Sequence, residues 1–117
     1  MPSKGVESAL RDILHHIDLA VRFTADLDYA AFHNDVRTVF AVIRCLEVIS
    51  EASRRLPETL KARHRKIAWK LIAGAGNIYR HDYEDVTAHI VWDTLNRDLP
   101  VLRSAVQVEL SKYDKGA

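Results

Sequence analysis

The sequence has 117 residues, of which 48% are hydrophobic and 28% are charged, and its formal net charge is +1. This length and composition suit one domain, residues 1–117, with a modest core, and they exclude a disordered chain. The small net charge argues against a protein that coats nucleic acid non-specifically, but it leaves a local nucleic-acid site open.

The cysteine content and the hydropathy pattern indicate a reducing compartment. Cys45 is the only cysteine, so no internal disulfide can form, and its apolar neighbours predict a buried side chain. The first residues lack the apolar core of a signal peptide, and no run approaches the ~20 apolar residues that span a bilayer. We therefore predict a soluble cytoplasmic protein without a membrane segment.

Apolar residues recur with the period of an α-helix along most of the chain. A first helix is predicted from about residue 6 to about residue 28, followed by a short turn or helical extension at residues 29–34. Its apolar stripe consists of Leu10, Ile13, Leu14, Ile17, Ala20 and Val21. Asn34 or Asp35 then caps the next helix, because either side chain can accept hydrogen bonds from the free amides of a first turn.

A second helix is predicted from about Val36 to Arg55. Pro57 lacks an amide donor and therefore marks a break after Leu56. The apolar stripe of this helix consists of Val36, Val39, Phe40, Ile43, Leu46 and Ile49, with Ser50 beside it. Residues 57–66 are predicted to form a short basic helical turn.

The remaining helices complete the predicted fold. A third helix should start near Ile67, and Glu84 or Asp85 should open the last helix. The stripe of the last helix consists of Val91, Leu95, Leu99, Leu102, Val106 and Leu110. This stripe stays in phase past Pro100, so we predict that the proline kinks the helix without ending it. Four main amphipathic helices with short connections predict an all-α bundle.

The segment GAGNIYRHDYEDV, residues 74–86, differs from the helical pattern around it. Gly74 and Gly76 each weaken a helix by about 1 kcal/mol relative to alanine, and they leave room for another backbone or a substrate. Asn77 and His81 are four residues apart and would share one helix face. From the residues alone, the segment is either a weakened helix end followed by a turn or a functional site.

Two longer segments of the chain resemble the HepT-like family of the HEPN superfamily. They are RCLEVISEASRRLP, residues 44–57, and the stretch of residues 67–106 that contains the unusual segment. Residues 46–52 are similar to the family's Leu-Glu-Val-Ile-Gly-Glu-Ala block, and residues 69–74 are similar to its Trp-Arg-x-Ile-Ala/Val-Gly block. The order and spacing of these blocks extend the resemblance over nearly the whole chain.

The site motif of this family is Arg-Asn-x-x-x-His-x-Tyr, and the chain matches it at three positions. Asn77, His81 and Tyr83 occupy the amide, histidine and tyrosine positions, whereas the arginine position holds Gly76. The motif's cation is therefore absent from its usual place. Arg80 is the candidate replacement, although a neighbour of His81 would point about 100° away from it on a helix. The alternative is a solvated arginine or one that pairs with Asp82, Glu84 or Asp85.

The resemblance implies an up-and-down bundle of four to five helices that pairs into a homodimer. It also implies a metal-independent ribonuclease toxin that needs no cofactor, acts on RNA, and carries the motif in a cleft at the dimer interface. The implied partner is a small nucleotidyltransferase antitoxin of the MntA type. This partner would silence the toxin by attaching AMP to the motif tyrosine, here Tyr83.

The chemistry explains why the motif needs these residue types. Metal-independent RNA hydrolysis uses the 2′-OH as nucleophile, so it needs a base, an acid and a cation at the phosphoryl oxygens. Histidine suits the acid–base steps because it titrates near neutral pH, and arginine can bind two phosphate oxygens. We therefore assign Asn77, Arg80 and His81 as the candidate catalytic residues. The other histidines have no convincing metal-ligand spacing.

Two glutamates of the second helix are further candidates. Glu47 and Glu51 match family positions and share a helix face, so they are predicted either to line the cleft or to pair with Arg54, Arg55 or Lys66.

Two other features have alternative explanations. The basic run at residues 61–66 is predicted to be either a solvated face or a contact for RNA phosphates. Trp69 and Trp92 are predicted to contact the core or a dimer partner in preference to the alternative, a platform on which RNA bases stack.

Three functions remain open for the chain, and two of them use the site. The first is an active ribonuclease toxin in which His81 is the general acid–base. The second is a HEPN protein that has lost catalysis and acts as a nucleotidyltransferase-binding or assembly module. The third is a plain helical interaction protein unrelated to RNA. The resemblance favours a toxin–antitoxin module, and Gly76 is the residue that separates the first two functions.

Overall fold

The structure is a computed structural model that describes residues 2–74 and 85–114. These residues are helical with no strand among them, which confirms the predicted all-α class. The helices are α1 (Pro2–Thr24), α2 (Tyr29–Asn34), α3 (Val36–Arg54), α4 (Glu58–Ala62), a helical run at residues 69–74, α5 (Asp85–Asp93) and α6 (Leu99–Asp114). Within these ranges, no helix is both long and apolar enough to cross a membrane.

The first helix ends at Thr24 and not near residue 28, because the backbone leaves the helical conformation at Asp26. The hydroxyl of Thr24 donates to the carbonyl of Ala20 at 2.9 Å, and Asp26 has a φ of 69°, in the left-handed region that ends helices. The side chain of Asp28 then accepts from the amide of Ala31 at 2.9 Å. This N-cap starts α2, the helical extension that was predicted.

The second long helix, α3, begins at Val36, and its cap is Asp35, whose side chain accepts from the amide of Thr38 at 3.2 Å. Its predicted stripe is wrong at Val36 and Phe40, which are 62% and 66% exposed. The other predicted positions are buried or packed against the core, and the prediction missed Val42, Cys45, Ala52 and Ser53, which are buried as well. The first half of α3 is apolar on more than one side, so periodicity could not identify the buried side.

The last helical stretch runs from α5 into α6 through a π-helical turn at Thr94–Asp98. At its end, the amide of Leu99 donates to the carbonyl of Thr94, five residues earlier. The wider turn lies immediately before Pro100, whose ring lacks a donor and would crowd a regular turn. The chain stays helical past this proline, and all six stripe residues are buried, as predicted.

The core lies around α1, which packs along both α3 and α6, while α5 lies against α2 and α3. The largest fully buried apolar side chains are Phe32, Leu10, Ile13, Ile17, Ile49, Leu102, Val42, Val91 and Val106. In the described part of the chain, three ion pairs connect α1 to its neighbours, Asp18 to Arg103 at 2.7 Å, Asp12 to Arg55 at 3.0 Å and Arg11 to Asp114 at 3.5 Å. Burial raises the pKa of the Cys45 thiol, in agreement with the predicted buried side chain.

Candidate functional site

The predicted catalytic motif lies in residues 75–84, which fall outside the described ranges. Asn77, Arg80, His81 and Tyr83 therefore keep their predicted roles as predictions. The structure does describe the residues on either side of this segment, namely the helical run at residues 69–74 and α5. Their contacts show how the chain enters and leaves the segment.

The helical run at residues 69–74 leads into the motif and lies against α3. The hydroxyl of Ser50, itself buried, donates to the carbonyl of Ala73 at 2.7 Å. A Cβ atom built on Gly74 would meet no heavy atom within 4 Å, so the described neighbours do not require a glycine there. The chain just before the motif is thus fixed to the C-terminal part of α3, and Gly74 has space beside it.

Glu47 and Glu51 flank Ser50 on α3, so both lie near the point where the chain enters the motif. The side chain of Glu47 is partly buried and lies 3.6 Å from the guanidinium of Arg44. Glu51 is exposed. Among the described residues, the alternative cations do not contact either glutamate, and Arg55 pairs with Asp12. Their predicted role as cleft-lining residues stays a prediction.

The helix that follows the motif, α5, is held by aromatic packing against α2. The rings of Trp92 and Phe32 are 5.0 Å apart, and the ring of Tyr29 lies 5.9 Å from those of Trp92 and His89. Trp92 and Trp69 are both partly buried against the core, which confirms their predicted packing role. Both ends of the motif segment are therefore attached to the same helical bundle.

Sequence reasoning missed a buried carboxylate, Glu109 on α6, which is 3% exposed. The guanidinium of Arg63 donates to its two oxygens at 2.8 and 3.2 Å, and Nε2 of His64 lies 2.7 Å from one of them. The ammonium of Lys112 lies 3.3 Å from both oxygens. An ionised carboxylate only accepts hydrogen bonds, so His64 carries its hydrogen on Nε2 in this contact.

This cluster changes the interpretation of the basic run at residues 61–66. The hydrogen bond from Arg63, with smaller contributions from His64 and Lys112, lowers the pKa of Glu109 to about 2, against the opposing effect of burial. Arg63 and His64 thus hold the connection after α4 onto α6. Arg65 and Lys66 are exposed and have no ion-pair partner within the described part of the chain.

Metal ligation has no support among the described side chains. No group of three or more His, Cys, Asp or Glu residues within residues 2–74 and 85–114 has the geometry to hold a metal ion. His89 lies 3.4 Å from Asp93 on the same helix, which is an ordinary i,i+4 pair.

Comparison with known proteins gives one consistent family. The family described as "Ribonuclease HepT-like" matches residues 13–109. A protein of Methanocaldococcus jannaschii named "Putative RNase MJ0125" is 36% identical over 103 residues, which cover 88% of this chain and 89% of that protein. A protein of Thermococcus cleftensis named "Probable ribonuclease HepT" is 37% identical over 94 residues, covering 80% and 86% of the two chains. No solved structure matches the chain.

Proposed function

Because the chain belongs to the HepT-like ribonuclease family, we propose that it is the toxin component of a HEPN/nucleotidyltransferase toxin–antitoxin module. Its activity would be metal-independent cleavage of RNA, and residues 1–117 would form one HEPN-type domain. The observation that carries this proposal is the family match over residues 13–109, which includes Asn77, His81 and Tyr83.

The proposed mechanism uses the side chains of the motif and the 2′-OH of RNA. His81 takes the proton of the 2′-OH, the 2′-oxygen attacks the phosphorus, and an acid protonates the leaving 5′-oxygen. Asn77 donates a hydrogen bond to a phosphoryl oxygen, and Arg80 supplies positive charge to the same group. The second histidine needed for the complementary proton transfer comes from the other subunit of a homodimer.

Exposed apolar side chains support the homodimer. Val36 and Phe40, one turn apart on α3, are exposed, and so is Leu71 in the helical run that leads into the motif. Large apolar side chains on the surface of a small domain are typical of an interface. Val36 and Phe40 lie in the first two turns of α3, and Leu71 lies on the helical run that contacts α3 at Ser50.

The test is cleavage of total cellular RNA in EDTA by the purified chain, beside His81→Ala. We expect cleavage by the wild-type chain and cleavage at the level of a buffer blank for the variant, because the acid–base group is lost. Circular dichroism and light scattering should show the same helicity and the mass of two chains for both proteins. Equal cleavage by both proteins would contradict the role of His81.

The proposed partner is a small nucleotidyltransferase that transfers AMP to the hydroxyl of Tyr83. In this step the tyrosine oxygen attacks the α-phosphorus of ATP, pyrophosphate leaves, and the phenolic proton goes to solvent or to a base of the partner. Incubation with such an enzyme and ATP should add the mass of one AMP to the wild-type chain and none to Tyr83→Phe. Modification of both chains would assign the acceptor elsewhere.

A second function is favoured by one observation, the glycine at position 76. Without the motif arginine, the chain could retain its fold and its partner but lose catalysis, and it would then act as a nucleotidyltransferase-binding module. Intact RNA with the wild-type chain, together with AMP transfer to Tyr83, would support this function over the ribonuclease.

A further inference from the structure

A groove of about 480 Å³ lies between the connection after α4 and one face of α6. Its floor includes Val101, Ala105 and Val108, which follow one another at spacings of four and three and so lie on one side of the helix. Val101 and Val108 are 47% and 52% exposed. We call this the α6 groove, and its lining consists of Ala62, Arg63, His64, Arg65, Lys66, Ile67, Val101, Ser104, Ala105 and Val108.

The wall of the α6 groove is an irregular segment that is held in place from two sides. On one side, Arg63 and His64 bind the buried carboxylate of Glu109 at 2.8 and 2.7 Å. On the other side, the indole N–H of Trp69 donates to the carbonyls of Lys61 and His64, each at 3.1 Å. A groove whose walls are already fixed loses little conformational entropy when a ligand binds.

The rim of the α6 groove is positively charged. Arg65 and Lys66 are exposed and unpaired within the described residues, and the guanidinium of Arg63 is about half exposed. No carboxylate is among the lining residues. The charge of the nearby Glu109 is offset by the cations that bind it. A ligand therefore meets apolar side chains at the floor and positive charge at one edge.

We propose that the α6 groove docks an acidic amphipathic helix of a partner protein. Apolar side chains of that helix would cover Val101, Ala105 and Val108, and its carboxylates would pair with Arg65 and Lys66. The lining carries no Phe, Tyr or Trp ring on which an RNA base could stack, and its one imidazole, that of His64, is held by the carboxylate of Glu109. The chemistry of the lining thus favours a protein helix over RNA. This proposal does not depend on whether the chain cleaves RNA.

The test uses a synthetic helical peptide of about 16 residues with leucines along one face and glutamates beside them. Titration into the isotope-labelled full chain should shift the amide NMR signals of residues 62–67 and 101–108. The matched peptide with glutamine in place of glutamate should bind at least about tenfold more weakly, because the charge pairing is lost. A single-stranded oligoribonucleotide is titrated in parallel.

Variants locate the site and separate it from general surface effects. Val108→Asp, and Arg65→Glu combined with Lys66→Glu, should each weaken the acidic peptide at least about tenfold. Val21→Asp is the matched apolar control, since Val21 is 51% exposed on α1 and does not line the groove. Arg37→Glu with Arg97→Glu is the matched charge control, because both residues are exposed and lie outside the groove.

The controls should bind the peptide as the wild-type chain does. The proposal is overturned by signal shifts outside the groove only, by equal binding of the acidic and neutral peptides, or by unchanged affinity in the groove variants. It is also overturned when the oligoribonucleotide, and not the acidic peptide, shifts the groove signals. Since the readout is binding, its failure is distinct from a failure of RNA cleavage.

Discussion

Gly76→Arg is expected to raise the rate of RNA cleavage by about 100-fold over the wild-type chain. Removal of one donor to an oxyanion slows an enzyme by about this factor, so restoring one should speed it by about as much. The transition state of RNA cleavage concentrates negative charge on the phosphoryl oxygens. A guanidinium carries a permanent charge and two parallel donors that match two of these oxygens. The resemblance to the family motif assigns the arginine to this position, so we expect the change to supply the cation that the motif lacks here.

The measurement is the initial rate of cleavage of a defined single-stranded RNA in EDTA. Gly76→Lys should recover less activity, because a lysine provides charge without the planar fork. His81→Ala in the Gly76→Arg background should return the rate to the blank, which ties the gain to the same site.

Gly74→Arg is the matched control for an added cation near the motif. A Cβ atom built on Gly74 meets none of the described atoms within 4 Å, so a side chain can leave the backbone there. An arginine two residues before the motif position should not reach the same phosphoryl oxygens, and it should leave the rate unchanged. A folded Gly76→Arg protein without any gain, or an equal gain from Gly74→Arg, would show that the missing arginine does not limit activity.

Sequence reasoning predicted the buried side best where one apolar period continues over many turns. The stripe of the last helix keeps one period from Val91 to Leu110 and is buried along its whole length, although Val101 and Val108 outside this stripe are exposed. The α3 stripe failed at Val36 and Phe40, where apolar residues surround the helix and only its neighbours decide which are covered. Residue type and helical period do not show which other helices pack against α3.

The candidate site was predicted by resemblance alone, and the described residues add its surroundings. Neither Ser50 nor Ala73 carried a signal for the contact that fixes the start of the motif, since it joins residues 23 positions apart. Glu109 did carry a signal. It follows Val106 by three residues and Leu102 by seven, so it occupies an apolar phase of the helix. A carboxylate at a position that the period assigns to the buried side needs a cation beside it, and the basic run at residues 61–66 could supply one.

Glu109→Gln is expected to lower the free energy of unfolding by about 2 to 3 kcal/mol at neutral pH. The native carboxylate has a pKa of about 2 against an ordinary value of 4.5, which corresponds to about 3 kcal/mol of stabilisation of its charged form. The amide keeps the shape of the side chain but loses the charge, and its nitrogen cannot accept from Arg63 or His64. Half-exposed Arg63 and Lys112 can return to water, which makes the loss smaller than for a fully buried pair.

Urea unfolding of the two proteins gives this difference, and Glu58→Gln is the control. Glu58 is almost fully exposed and lies 3.9 Å from Lys61, so its change should cost less than about 0.5 kcal/mol. A difference for Glu109→Gln as small as that of the control would contradict a stabilising role for the buried cluster.

The same difference should depend on pH, with a sign fixed by the lowered pKa of Glu109. A carboxylate whose pKa is lower in the folded state contributes its full stabilisation above the unfolded-state value of 4.5. This contribution is lost as the pH falls from about 4.5 towards 2, because the unfolded chain then binds the proton more readily than the folded chain. The gap between wild type and Glu109→Gln should therefore be full at pH 7 and fall to roughly half or less at pH 3. A gap that stays constant over this range would mean that the variant loses packing, and not the charged contacts that hold the wall of the α6 groove.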